Sequence, residues 1–388
     1  MFTTEAWILD KGARRAPGAD PIPARLRLDR IEIPDPEDDE VLVEPILGSW
    51  EGNLGHATSR SPVDICQLRG EPWVIIGNGA VVRVLRPGPR VTGIAEGDLC
   101  LVMPNSRRDQ HGYTELIYAY DCPRTFGILA RRTKVAGELL LPLPRDTSHT
   151  LPQWTTYGRY FTAWDNWRVA YNCWRAQLED DDPADHLVLG WGGGTTLAEL
   201  ELARRHGFRV AMTATSPARL AAIERSGVIA IDRSKFRDLA FDADLAGRDP
   251  TYVSRYRTSE KAFLAEVDRL SDGRGVSLFL DNIGGAMYKA TLKALGRQAV
   301  LSSVGWKDGM HLMNVRATEC IKRHLHVHTH AWRFGDSGHI RDFEEATGWI
   351  RPAEDETIYP FEAIQQLADD YADGRIVSYF PIFRINPL

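Results

Sequence analysis

The sequence predicts an α/β protein of two domains, a β-rich, partly open barrel and a doubly wound parallel sheet. Three observations predict it: short β-type runs crowd the first half, strand and helix patterns alternate in the second, and 388 residues exceed one ordinary core. Residues 24–48 place β-type runs either side of an acidic, proline-containing loop. Residues 74–84 are β-branched and glycine-interrupted, turn residues follow, and LCLVM at 99–103 reads as the next strand. After Pro152 the texture changes. Trp164, Trp167, Tyr171 and Trp174 recur at helical spacing, a stripe that reads as core packing. Then come HLVLGW, a helix over 196–206, RVAMTAT, a helix over 217–226, VIAID, a helix around 261–270, VSLFLDN, a helix over 287–295, and AVLSSVGW. Such alternation implies a parallel sheet flanked by helices. The stretch YPFEAIQQLADDYADGRIV reads as a terminal helix, and the domains are expected at 1–155 with 336–388, and at 156–335.

Hydrophobic residues at 43% and charged residues at 26% place the chain among soluble globular proteins. No apolar run approaches the ~20 residues that span a bilayer. The first residues, MFTTEAWILDKGARR, lack a basic segment followed by a long apolar one, so a cytoplasmic address is expected. A net charge of −6 argues against a nucleic-acid surface, which needs a basic face to displace counterions. Cys66, Cys100, Cys122, Cys173 and Cys320 are scattered and form no CxxC, which suits reduced thiols and no structural zinc lobe.

The strongest chemical signal is the run Gly190, Trp191, Gly192, Gly193, Gly194, Thr195 and Thr196, leaving an apolar strand and entering a helix. Glycines there let backbone approach a pyrophosphate, while free N–H groups at the helix start face the anion. A ligand-free strand-to-helix turn is the alternative. At the end of the next strand a free ribose 2′-OH would meet Asp or Glu, yet the chain offers Thr215, Ser216 and Arg219 and no carboxylate. Hydroxyls and a guanidinium suit a 2′-phosphate, so NADPH is favoured over NADH. Alternatively Ser216 is only a helix cap before Pro217.

These segments resemble the medium-chain dehydrogenase/reductase superfamily in collinear order. SPVDICQLRG is similar to the NPxDxxxxxG segment of its quinone reductases and enoyl-thioester reductases, VVRVLRPGPRVTGIAEGDLC to VVxVGxGVxxxxxGDxV, HGYTEL to GxYAEY, FTAW to LTAW, and GRGVSLFLDNIGG to GGxGVDVVxDxVGG. The IDR segment at 231–233 also resembles the crotonyl-CoA reductase/carboxylase branch. The resemblance implies a GroES-like barrel catalytic domain plus a Rossmann domain. Its zinc-dependent alcohol dehydrogenases carry a GHE motif where this chain has Gly77, Asn78 and Gly79, and their other catalytic ligand positions fall near Ser49 and Gly158. No metal is therefore expected. Two further departures stand out: Thr196 occupies the place of the family's third glycine, and the tyrosine acid of enoyl-thioester reductases has no counterpart in Gly70, Glu71, Pro72, Trp73.

By position, the resemblance assigns Thr162 to the cofactor near the nicotinamide ribose, Ser303 and Gly305 to the carboxamide, and adds Asn282 and Arg233 to the binding set. Hydride addition to an α,β-unsaturated carbonyl leaves an enolate that needs hydrogen-bond donors and a proton. His56 and Asn53, in what aligns as an insertion before SPVD, are the first candidates, with a solvated surface loop as the alternative. Tyr157 and Tyr160 follow, either as donors or as packed aromatics. Tyr252, Arg255, Tyr256, Arg257 and Lys261 form a set that suits the nucleotide end of CoA, a carrier-protein surface or a solvated lid. His324, His326, His328 and His330 recur at period two, which on a strand puts them on one face. A dimer-forming edge strand at 323–331 is preferred there over a metal site. The expected function is NADPH-dependent reduction of an activated C=C bond in an enoyl thioester or enone. The alternatives are reduction of a quinone, ketone or imine, or a catalytically silent nucleotide-binding subunit.

Overall fold

A computed structural model describes residues 1–13, 20–304, 332–350 and 358–388, with the backbone of 326–329. The chain divides into two units, Met1–Arg159 with Trp332–Leu388, and Tyr160–Ala331. Gly305, His324 and His330 lie outside the described residues.

The first unit opens with β1 (Phe2–Asp10), β2 (Arg27–Ile33) and β3 (Glu40–Ser49), followed by α1 (Gly52–Ser59) and α2 (Ile65–Arg69). Short strands continue it: β4 (Trp73–Val74), β5 (Ala80–Pro87), β6 (Leu99–Val102), β7 (Asn105–Arg108), β8 (Thr114–Ile117), β9 (Thr133–Ala136) and β10 (Leu140–Pro142). After α3 (Leu151–Thr155), α4 (Tyr157–Arg175) carries the chain into the second unit. There β11 (Leu187–Trp191), α5 (Gly194–Arg205), β12 (Arg209–Ala214), α6 (Pro217–Arg225), β13 (Ile229–Asp232), α7 (Ala243–Arg248), α8 (Pro250–Ser271), β14 (Val276–Asp281), α9 (Tyr288–Ala294), β15 (Leu295–Ser303) and β16 (His326–Thr329) alternate. The chain returns to the first unit through α10 (Ser337–Thr347), β17 (Tyr359–Pro360), α11 (Ile364–Ala372) and β18 (Ile382–Arg384).

β3 organises the first unit. One edge pairs with β5, while the other is shared between β9 at Glu40–Val43 and β18 at Leu47–Ser49. Pro45 has no N–H to give the ladder, and the β3/β5 register shifts there. The β3 side chains Val41, Val43, Ile46 and Leu47 are buried. On the far side, the Trp7 indole donates to the Phe361 carbonyl at 2.7 Å, tying the first strand to the returning chain.

In the second unit the parallel sheet runs β13-β12-β11-β14-β15-β16. The order places a switch point between β11 and β14, where connections leave in opposite directions and a crevice opens at the carboxyl ends. β11 and β14 are buried throughout, as strands covered on both faces must be. Trp167 and Trp174 of the aromatic stripe are buried against Phe208, with ring centroids 5.6 and 4.8 Å away.

Two local expectations need correction. Residues 52–59, aligned as an insertion with a surface loop as the alternative, form α1, with Leu54, Ala57 and Thr58 buried along one side. The helix expected around 261–270 begins at Pro250, with Asp249 accepting from the Thr251 N–H as its cap.

Candidate functional site

At the switch point, Gly190 and Gly192 are required by close packing within the turn. A Cβ on Gly190 would come 2.5 Å from the Thr196 methyl, and one on Gly192 would come 2.2 Å from Thr196 Oγ1 and 2.9 Å from Asn282 Cβ. Gly193 caps α5, and a Cβ there would meet nothing within 4 Å, so the turn has an open side at the helix start. Gly194 and Thr195 begin α5. Thr196 is fully buried and accepts a 2.7 Å hydrogen bond from the Asn282 amide. The same Asn282 accepts from the Val304 N–H at 2.8 Å, and its own N–H donates to the Trp191 carbonyl. One residue thereby ties the ends of β11 and β15 and the start of α5 to the end of β14, and brings Ser303 to the same edge of the sheet. The threonine in place of a third glycine completes this clamp.

The neighbouring strand ends form a second cluster. Register pairs Ala214 with Asp232, which sets Thr215 beside Arg233 at the carboxyl ends of β12 and β13. Ser216 caps α6 without bonding its helix through the side chain, and Arg219 lies in the first turn. Asp232 instead caps the turn that follows it, accepting from the Ser234 N–H, and the Ser234 hydroxyl, then that N–H, then Lys235 and Arg237 hold its carboxyl below the usual range. Thr162 lies half-buried on α4.

Asn53 and His56 lie three residues apart on α1, both half-buried. Burial pushes the His56 imidazole below its ordinary value, partly offset by a contact with the Ser61 backbone. Tyr157 is buried and its hydroxyl donates to the Ser337 carbonyl at 2.6 Å. Tyr160 is fully buried.

The residue that sequence reasoning passed over is Glu51. Antiparallel pairing of Ser49 with Ile382, with the Trp50 N–H on the Pro381 carbonyl and the Ser49 N–H on the Gly79 carbonyl, fixes the chain just before α1. Glu51 caps α1 yet bonds none of its free N–H groups through the side chain. Its Oε1 would lie 3.1 Å from a Cβ on Gly79 and 2.9 Å from one on Gly158. Arg159 follows, its guanidinium donating to the Trp50 carbonyl. Oε1 is sealed and without a hydrogen-bond partner, although the residue as a whole is partly exposed. Burial raises the carboxyl above its usual range, an effect that Arg159 and then nearby Ser49 only partly offset.

Ser49, Asn78 and Gly158 offer a hydroxyl, a carboxamide and no side chain, a donor set that does not fit a tetrahedral zinc site built on thiolate and imidazole. Among the described residues no three His, Cys, Asp or Glu groups are arranged to hold a metal. His326 and His328 lie on β16, at the edge of the sheet beside β15.

In the 242–261 stretch both tyrosine hydroxyls are committed. Tyr252 donates to the Ala240 carbonyl at 2.8 Å and Tyr256 bonds Glu260 at 2.5 Å, while Arg255 faces Asp238 at 3.7 Å. Arg257 and Lys261 line an open cavity of about 540 Å³ with Ser254 and Thr258. No helix among the described residues is long and apolar enough to cross a membrane.

No family model and no curated protein matches the chain. Solved structures do. A crotonyl-CoA carboxylase/reductase, AntE, in complex with NADP gives a TM-score of 0.76 at 18% identity, over 100% of this chain and 96% of that one. The 2-octenoyl-CoA carboxylase reductase CinF in complex with NADP and 2-octenoyl-CoA gives 0.77 at 19%, over 100% and 88%. A cobalt- and zinc-bound thermostable alcohol dehydrogenase from Pyrobaculum aerophilum gives 0.68 at 17%, over 99% and 100%. The fold is that of the medium-chain dehydrogenases/reductases, a GroES-like domain with a Rossmann domain.

Proposed function

We propose that the protein is a zinc-free, NADPH-dependent reductase that adds hydride to the β-carbon and a proton to the α-carbon of an activated C=C bond in an enoyl thioester or enone. The observation that carries this reading is the open glycine turn at the β11/β14 switch point beside hydroxyls and guanidiniums at the ends of β12 and β13. A turn of that kind suits a pyrophosphate, and that cluster suits a 2′-phosphate. Likeness to AntE and CinF, both solved with NADP and the latter also with 2-octenoyl-CoA, supports the cofactor and the substrate class. The donor set of Ser49, Asn78 and Gly158 supports chemistry that needs no Lewis acid.

When bound, NADPH supplies the hydride. Gly190, Gly192, Gly193, Gly194 and Thr195 hold the pyrophosphate, and Thr215, Ser216, Arg219 and Arg233 the 2′-phosphate. Thr162, Asn282, Ser303 and Gly305 serve the nicotinamide end, Asn282 by keeping the Val304 backbone in place. Asn53 and His56 are the candidates to steady the enolate oxygen. Arg257 and Lys261 suit the phosphates of a CoA or carrier-protein thioester. The β16 edge and its flanks at 323–331 suit a homodimer, and the working address is the cytoplasm.

The test is a titration of NADPH fluorescence against NADH, then loss of nicotinamide absorbance on adding crotonyl-CoA. NADPH binding at least ~10-fold tighter than NADH, consistent with charge-assisted bonds to a phosphate, with turnover, is the expected result. Binding of neither nucleotide overturns the reading.

A further inference from the structure

We propose that the Glu51 carboxyl is the acid that protonates the α-carbon of the substrate, an assignment that rests on the reductase reading above. Five observations lead to it. Glu51 stands at the head of α1, the helix that also bears Asn53 and His56, yet its side chain turns away from the helix N–H groups that would ordinarily attract it. Two glycines from distant segments, Gly79 and Gly158, leave the room into which Oε1 fits. That oxygen is buried without a hydrogen-bond partner, an arrangement that destabilises a carboxylate and tolerates a neutral acid. The residue as a whole nevertheless keeps partial exposure. The phenol of Tyr157, by contrast, donates to a buried backbone carbonyl.

Arg159 is the charged group that faces Glu51; Ser49, Gly79 and Gly158 add no charge. Burial outweighs the guanidinium, so the carboxyl stays protonated above the ordinary carboxylate range. A raised pKa is the direction in which a carboxyl must move to serve as a general acid. The step balances. One hydride, with its two electrons, enters the β-carbon as reduced nicotinamide becomes oxidised. The enolate so formed takes the Glu51 proton at the α-carbon, and one proton taken up from the solvent, the H⁺ that the overall reduction consumes, restores the carboxyl for the next turnover.

The experiment compares the full-length protein with Glu51→Gln and Glu51→Asp. Glu51→Gln is expected to leave the NADPH fluorescence titration unchanged while kcat falls ~100-fold or more, within the usual range for loss of a general acid. In the wild type kcat should decline as pH rises through the raised carboxyl pKa, and that limb should be absent from the residual rate of Glu51→Gln. Glu51→Asp, which keeps the acid but retracts it, should restore part of kcat together with the limb. A further readout is independent of turnover rate: in D2O the wild type should place deuterium on one face of the α-carbon, and Glu51→Gln on both. An active wild type whose Glu51→Gln variant keeps kcat within about threefold, with the same limb and the same facial selectivity, overturns the assignment of Glu51 alone. A wild type that binds NADPH but reduces neither enoyl thioesters nor enones overturns the reductase reading, and this assignment with it. Should Glu51→Gln fail to fold, an unchanged pH profile in Glu51→Asp overturns the assignment as well, because a retracted acid must shift or weaken the limb.

Discussion

Both the turn after β11 and the pocket around Glu51 depend on missing side chains, and they fill the vacated space from opposite sources. At Gly190 and Gly192 the nearest neighbour that would collide with a Cβ is Thr196, a few residues along the same turn, with Asn282 behind it at Gly192. At Gly79 and Gly158 the neighbour is Glu51, brought there by the pairing of β3 with β18 and by the chain entering α4. The first region presents backbone N–H groups, which do not titrate. The second presents a carboxyl whose protonation is set by how well it is buried. The difference teaches that anion binding can be encoded in one contiguous stretch, whereas acid chemistry is assembled across the fold and acquires a pH dependence in the process.

Breaking the backbone-built region should have the largest effect. Gly192 has a φ of +155°, and a Cβ there would lie 2.2 Å from the buried Thr196 hydroxyl that Asn282 holds. Gly192→Ala is expected to force the turn and the Asn282 clamp apart, reducing NADPH affinity ~100-fold in a fluorescence titration and lowering stability by about 1–3 kcal/mol, the range for overpacking. If affinity survives while stability falls, the turn is a packing device and the comparison collapses.

The strand-end cluster sharpens the same contrast because its side chains, unlike the glycines, can be removed without disturbing the turn. The double variant Arg219→Ala with Arg233→Ala should weaken NADPH by roughly 10- to 100-fold, as expected when charge-assisted bonds to a phosphate are lost. NADH, which has no phosphate at that position, should bind as before. Equal loss for both nucleotides would move these arginines from recognition to structure.

What the sequence disclosed follows the same division. The glycine turn and the Thr215, Ser216, Arg219 set were legible because each lies within a few consecutive residues at the end of a strand. Asn282 was named, but the two hydrogen bonds of its side chain, donated to Thr196 on α5 and accepted from the Val304 N–H after β15, require segments far apart in sequence to meet. Glu51 was not singled out, since its surroundings come from residues 49, 79, 158 and 159. α1 was obscured by Gly52, Asn53, Gly55 and Thr58, all poor helix formers; the spacing of Leu54, Ala57 and Thr58 was the available signal. The early start of α8 was announced by Asp249 before Pro250, an N-cap and first-turn proline that the charged surface of the segment concealed.

Tyr157 supplies the smallest expected effect and the finest test of the distinction between titrating chemistry and packing. Its hydroxyl donates to the Ser337 carbonyl at 2.6 Å at the start of α10, and burial keeps the phenol protonated far beyond neutral pH. A donor committed in this way stabilises the return of the chain into the first unit. Tyr157→Phe keeps the ring and leaves a buried carbonyl short of one donor, a change of about 1 kcal/mol. Thermal unfolding should therefore shift down by a few degrees at most, while kcat and its pH profile stay as in the wild type. The reverse pattern, with melting unchanged and kcat reduced ~10-fold or more, would return Tyr157 to the proton-transfer chemistry and leave Glu51 as a group that shapes the pocket.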